Sequence, residues 1–218
     1  MFIGHLGLSF AAKKSSPRLP LGTSFLAAQM PDVMWPYLLL LGVERVAVAP
    51  GDTPFTPLRF EHYPISHSLL LDVVWGSLLG LAYYWQRRDA RGGVTVALLV
   101  MSHWLLDFVT HRPDLPLVPW SSRVVGLGLW HSVWGTIALE GALFGVGVWL
   151  YVLATGGARA RGGLALSILV AGLVFLYLTQ FIAPPPPSPT AVGVVGAISA
   201  PLFWLWGNWV DRRREPLR

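Results

Sequence analysis

Long apolar runs separated by short polar joints set the plan of this chain. Five runs reach, or nearly reach, the roughly 20 residues a helix needs to cross a bilayer: about 65–86, 94–112, 129–155, 163–183 and 191–210. A sixth, about 21–43, is long enough but contains Pro31 and Pro36. Proline removes a helical hydrogen bond and crowds the preceding turn. A broken helix is predicted there, tolerable at bilayer depth only where protein or a cavity covers the freed backbone groups. Residues 2–12 predict a helix of about three turns, too short to span. The expectation is an all-α, polytopic membrane bundle of about six spans, with a short N-terminal helix and a broken first span. It divides into residues 1–120, which carry the candidate metal site, and 121–218, three further transmembrane helices and a basic tail.

Composition supports this reading. Charged residues make up 12% of the 218 and hydrophobic ones 54%, whereas soluble domains carry about 25% charged residues. Eleven Trp fit a membrane protein, where Trp gathers at the interfaces. With no Cys, a disulfide framework and a thiolate metal site are both excluded. The net charge of +5 would point a soluble protein towards nucleic acid. Here the excess sits in short joints, so it reports topology and no nucleic-acid partner is expected. Lys13, Lys14, Arg18, Arg87, Arg88, Arg91, Arg159, Arg161, Arg212, Arg213, Arg214 and Arg218 fall on one side of a six-span arrangement. Only Arg45, Arg59, Arg112 and Arg123 fall on the other. The positive-inside rule then places both termini in the cytoplasm and the joints 44–64, 113–128 and Pro184–Pro189 outside. The last of these reads as a stiff polyproline connector without ligand chemistry. Met1–Ala12 lacks the basic start and the cleavage site of a signal peptide.

Against this background the ionisable residues inside apolar runs stand out, because they are costly there and serve a cavity, a partner or an ion. His103 and Asp107 lie one helical turn apart and share a face. Both residue types ligate zinc-like ions, although a plain hydrogen bond tying helices together is the structural alternative. At 1.5 Å per residue, His5 lies ~12 Å above Lys13, Asp32 ~18 Å above Pro20, and His103 and Asp107 ~14 and ~20 Å above Val94. All four converge on the middle-to-outer zone of the bilayer, and His67 enters it from outside. Each has a structural alternative: an Asx turn or cap for Asp32, a solvated loop for His62, a helix-dipole contact for His111, an interfacial position beside Trp130 for His131. Ser66 reads as a helix cap. Asp72 and Glu140 read as partners of a ligating imidazole or as interhelical hydrogen bonds.

The order of these motifs resembles a known family. His5-Leu-Gly7, Pro31-Asp32, His62-Tyr-Pro-Ile-Ser-His67-Ser68 and His103-Trp-Leu-Leu-Asp107, ending at Pro119-Trp120, look like the YdjM-type bacterial inner-membrane proteins over roughly residues 1–120. That family is classed as membrane-bound metal-dependent hydrolases and is thought to be related to zinc-dependent phospholipase C and the P1-type nucleases. The resemblance implies an all-α fold in the inner membrane of a bacterial or archaeal cell. It also implies one or two zinc-like ions held by His5, Asp32, His67, His103 and Asp107. Asp32 and His62 would serve as catalytic residues, and the substrate would be a lipid or lipid-linked phosphoester among membrane lipids. Two departures bear on this. Tyr63 stands where the family usually has Arg, and Gly135 follows His131 where the soluble relatives complete their cluster with His-x3-Glu. The alternative function is a non-enzymatic metal-binding or transport protein, to which a broken helix beside ionisable groups also belongs.

Overall fold

The computed structural model describes residues 1–155 and 160–214. Among them the chain forms nine α-helices and two small hairpins, with no closed sheet. The order is α1 (Ile3–Ser15), α2 (Leu21–Ala28), α3 (Met30–Leu40), β1 (Arg45–Val48), β2 (Leu58–His62), α4 (Pro64–His67), α5 (Leu69–Arg87) and α6 (Ala90–Thr110). It continues with β3 (Leu115–Pro116), β4 (Val124–Val125), a 3-10 turn at Leu129–His131, α7 (Val133–Ala154), α8 (Ala160–Thr179) and α9 (Pro189–Asp211). The joints 44–64 and 113–128 are therefore not plain loops: β1–β2 and β3–β4 pair antiparallel there. Of the basic residues that set the expected topology, Arg159 and Arg218 lie outside the described residues.

Four helices are long and apolar enough to cross a membrane: α6, α7, residues 162–179 of α8, and α9. The expected count of about six is not reached, for two physical reasons. The run 21–43 breaks at Gln29 into helices of 8 and 11 residues, and neither spans alone. The run 65–86 does form α5, but Asp72 and the Tyr83-Tyr84-Trp85-Gln86 end dilute its apolar content. Only 11% of the α9 span and 22% of the α7 span is buried in the protein. Their outer faces, with Trp149, Val195, Ile198 and Leu202 exposed, suit lipid rather than water. This is an integral membrane protein.

Local sequence sets the helix ends. The side chains of Asp89, Ser132 and Ser188 accept from backbone N–H groups three residues on and cap α6, α7 and α9. Arg88, in the left-handed region at φ 54°, ends α5 and turns the chain into α6. Pro201 leaves the Ala197 carbonyl of α9 without its helical donor, and Tyr37 of α3 donates to that oxygen at 3.2 Å. Where α1 ends, Lys13 is buried and pairs with Asp211 at 2.7 Å, while Tyr151 donates to the same carboxylate at 2.9 Å. This clasp ties α1, α7 and α9 together.

The half-span α1 carries His5 and packs most extensively on α7. Close approach is possible because Gly7 faces Gly147: a Cβ at Gly147 would collide with the Gly7 backbone. Glu140 of α7 then takes the free N–H groups of Phe2 and Gly4 at 2.8 and 3.1 Å, closing the start of α1. A short helix is thus held at depth by a neighbouring full span. Gly147→Val is expected to destabilise the protein by about 1–3 kcal/mol or more, as overpacking does. Gly145→Ala, where a Cβ meets open space, should be neutral or slightly stabilising. Thermal unfolding of the two variants in detergent checks this, and equal midpoints would refute the close-packing role of Gly147.

Candidate metal centre

Asp107 is the hub of a buried polar cluster in the middle of the bundle. It sits on the α6 face that turns inward, one turn after His103. Its Oδ1 lies 3.1 Å from His5 Nε2 of α1 and 2.7 Å from the Met1 amine. Its Oδ2 lies 3.1 Å from His103 Nε2, 3.7 Å from His111 Nε2 and 3.9 Å from His67 Nε2. Asp32, in the first turn of α3, adds a second carboxylate, 3.4 Å from His67 Nε2 and 3.9 Å from His103 Nε2. The His5 and His103 rings stack at 3.8 Å. Among the described residues, His5, His103 and Asp107, and Asp32, His67 and His103, form two groups whose donor atoms lie within 4.8 Å of one another.

The hydrogen bonds behind the rings fix which nitrogen faces the centre. His103 Nδ1 lies 2.8 Å from the Ala28 carbonyl, which only accepts, so Nδ1 carries the proton. That carbonyl is available because α2 ends at Ala28. Ser66 Oγ gives its one proton to Glu44 Oε2 at 2.6 Å and therefore accepts from His67 Nδ1 at 2.7 Å. His111 Nδ1 donates to Asp114 Oδ1 at 3.0 Å. Three imidazoles thus turn their second nitrogen, the lone-pair nitrogen of a neutral ring, towards Asp107 Oδ2. His103 Nε2 is buried and, although close to Asp107, makes no well-aligned hydrogen bond. Lone pairs gathered round carboxylates repel one another until a cation sits among them.

The outer shell is equally ordered. The Glu44 carboxylate also takes the N–H groups of Ile65 and Ser66 at 2.8 and 2.9 Å, so Glu44 caps α4 from a distance. Ser66, expected to be the cap, instead links Glu44 to His67. Tyr63 donates to Asp114 at 2.7 Å and Arg112 holds the other Asp114 oxygen at 3.0 Å. Burial pushes the Tyr63 phenol well above its ordinary range, and Asp114 beside it adds to the effect. Burial opposes ionisation of Asp114, but the donors His111, Tyr63 and Arg112 outweigh it and hold the carboxyl below the usual range. Burial likewise keeps the His111 ring below the usual imidazole range, against the pull of Asp107 and Asp114. A neutral His111 is the form that can offer a lone pair.

The fold brings His5, Asp32, His67, His103 and Asp107 together, and leaves His62 out. His62 ends β2, exposed and in register with Arg45. His131 is exposed and bonded to the Gly128 carbonyl. Glu140 serves the start of α1, and Asp72 is buried on α5 outside both groups. Three participants escaped the sequence reading. A helix-dipole contact is the slightly favoured reading of His111 in sequence, but as the residue four after Asp107 it continues the same face and reaches Asp107 at 3.7 Å. Glu44 and Asp114 lie in the polar joints 44–64 and 113–128, where no apolar run marks an acid as costly. Only the hairpins bury them.

A family model described as YdjM inner membrane protein matches residues 1–184, further than the motifs of the first 120 residues reach. No curated protein matches the chain, and no solved structure matches it.

The Glu44–Ser66–His67 link carries a direct test. Ser66→Ala leaves Glu44 Oε2 and His67 Nδ1 buried without partners, which costs about 1–3 kcal/mol for each unsatisfied group. A lowered unfolding midpoint in detergent is expected. An unchanged midpoint would show that the link contributes nothing.

Proposed function

This chain belongs to the YdjM inner membrane protein family, and we propose that it is a membrane-embedded, metal-dependent hydrolase of phosphoester bonds in lipid or lipid-linked substrates. The observation that carries the proposal is the spacing of donor atoms round Asp107 Oδ2. Zinc bonds to imidazole nitrogen and carboxylate oxygen are about 2.0–2.2 Å, so ligands of a tetrahedral ion lie about 3.4 Å apart. The separations of His67 and His103 from Asp32 and Asp107 run from 3.1 to 3.9 Å. Two His and one Asp is a donor set that suits zinc and leaves a fourth position open. One imidazole nitrogen has one lone pair, so the two groups that share His103 cannot both be filled through it. The reading is one principal ion held by His67, His103 and Asp107, with His111 at its edge and Asp32 beside the fourth position, which a water would take. His5 Nε2 lies on the other carboxylate oxygen, beside the Met1 amine.

A divalent ion there would supply Lewis-acid polarisation of a phosphoryl oxygen and a water of near-neutral pKa. The residues supply the rest. Ala28, Ser66 and Asp114 hold three rings in the ligating tautomer. Asp32 is 37% exposed while His5, His67, His103 and Asp107 are each at most 2% exposed. Asp32 is therefore the group that can accept a proton from an attacking water, as general base. Tyr63, standing where relatives carry Arg, is tied to Asp114, and Arg112 is tied to Asp114 and Asp52. Neither is free to hold a phosphate, so its charge falls to the ion.

Asp107→Asn keeps size and hydrogen bonding but removes the charge a divalent ion needs. Zinc content of the purified protein should fall at least about tenfold, since even outer partners of zinc ligands are worth 10–100-fold. Hydrolysis of lipid phosphoesters should fall with it. As a mere interhelical bond, worth about 0.6 kcal/mol in membranes, Asp107 would tolerate Asn with zinc unchanged, and that result sinks the metal reading. Zinc bound with no hydrolysis over a broad lipid panel would make this a metal-binding or transport protein.

We also propose that both termini are cytoplasmic, from the twelve-to-four split of basic residues. The chain has no native Cys, so Glu61→Cys and Gln86→Cys, both at exposed positions, give clean labels. Labelling of the Glu61→Cys variant from outside, and of the Gln86→Cys variant only after permeabilisation, is expected; the reverse pattern inverts the topology.

A further inference from the structure

A cavity of about 570 Å³ lies between α2–α3 and α9, with Asp32 in its lining. Its walls are apolar, formed mainly by Phe25, Val33, Pro36, Val195, Phe203 and Trp204, and the Pro184–Pro187 segment covers part of it. The polyproline connector is therefore more than a spacer. Three lining residues carry polar groups close in sequence: the Asp32 carboxylate, Gln29 Oε1 and Trp35 Nε1. The last two atoms are buried without hydrogen-bond partners, and Trp35 as a whole is 8% exposed. The flanking helices turn large apolar residues outward, among them Leu40, Ile198 and Leu202, so the mouth of the cavity meets lipid.

We infer that this cavity holds the hydrocarbon chain of a membrane lipid phosphoester whose head group lies at Asp32. The inference rests on the hydrolase reading and names the substrate class of that same centre. Three observations converge on it. Asp32 lines the cavity and belongs to the centre, so the two meet at this residue. Asp32 is also the one exposed member of the cluster, so access to the buried histidines runs over it. The walls offer a water-soluble phosphoester almost no partners, whereas an alkyl chain fills an apolar cavity favourably. Among the lining residues, Trp35 Nε1 is an unpartnered donor and Gln29 Oε1 an unpartnered acceptor, the pair of functions a glycerol phosphate head group can use. The broken helix then has a purpose: the break at Gln29 brings Asp32 into the wall of the cavity.

The test uses the full chain in phosphatidylcholine vesicles containing phosphatidic acid with a diazirine in its acyl chain. Cross-links are expected on the segments 25–36 and 195–204, and unlabelled phosphatidic acid should compete them away. Ala200→Trp and Ser199→Leu fill the cavity from α9; Ser199 bonds only its own helix, to Gly196. Each should cut the cross-linking about tenfold, the equivalent of about 1.4 kcal/mol, while zinc content stays at the parental level. Unchanged cross-linking in both variants, or equal labelling by a diazirine alkane without competition, overturns the chain-binding inference. The zinc measurement separates the two claims. Parental zinc with no specific cross-link leaves the metal centre standing and removes the cavity assignment. Specific cross-linking with no zinc in any preparation does the opposite.

Discussion

A carboxylate buried at the middle of a membrane bundle must be compensated, and Asp107 is buried to 1% exposure on a helix apolar enough to span. An isolated charge in such a place costs several kcal/mol even after relaxation. The rest of the polar architecture answers that cost. His5 comes from a half-span, His67 from a single helical turn, and His103 and His111 from the turns before and after Asp107. Without Asp107 these rings would have no common focus, and the Met1 amine, 2.7 Å from its Oδ1, is the cation the chain itself sets against this carboxylate.

That focus explains features that otherwise look like defects. A short α1 is costly in a bilayer because both ends leave backbone groups unpaired. Glu140 pairs its start, the Gly7–Gly147 contact seats it, and Lys13–Asp211 anchors its end. The break between α2 and α3 frees the Ala28 carbonyl, and His103 uses it. Each irregularity therefore lies where it sets an imidazole in place, in keeping with the rule that irregular backbone at depth lines protein or a cavity.

The hairpins β1–β2 and β3–β4 pack at one end of this arrangement. Glu44 and Asp114 lie beside them and reach inward to His67, through Ser66, and to His111. Two carboxylates in polar joints thereby fix ring tautomers at the centre, as carboxylate partners do at metal sites generally. Aromatic packing of Phe60, Tyr63 and Trp130 round His111 keeps that region dry.

The sequence by itself determined the class of protein, the half-span, the break in the first helix and the shared face of His103 and Asp107. These follow from periodicities and costs that act locally: apolar length, proline chemistry, and the i, i+4 spacing. Depth counting also brought His5 and Asp32 to the level of that pair, because helix rise is constant. It could not tell that the broken helix and α5 fall short of the length and apolar content of a span, nor that His62 lies exposed while His111 is buried. His62 ends a strand of the outer hairpin, whereas His111 lies directly after α6 and stays on the face of Asp107. Only the tertiary structure decided the outer partners, since Glu44 and Asp114 act across hairpins that carry no strong local signal. It alone placed the apolar cavity against Asp32, because that space exists between α3 and α9, which are far apart in sequence and meet only when the bundle packs.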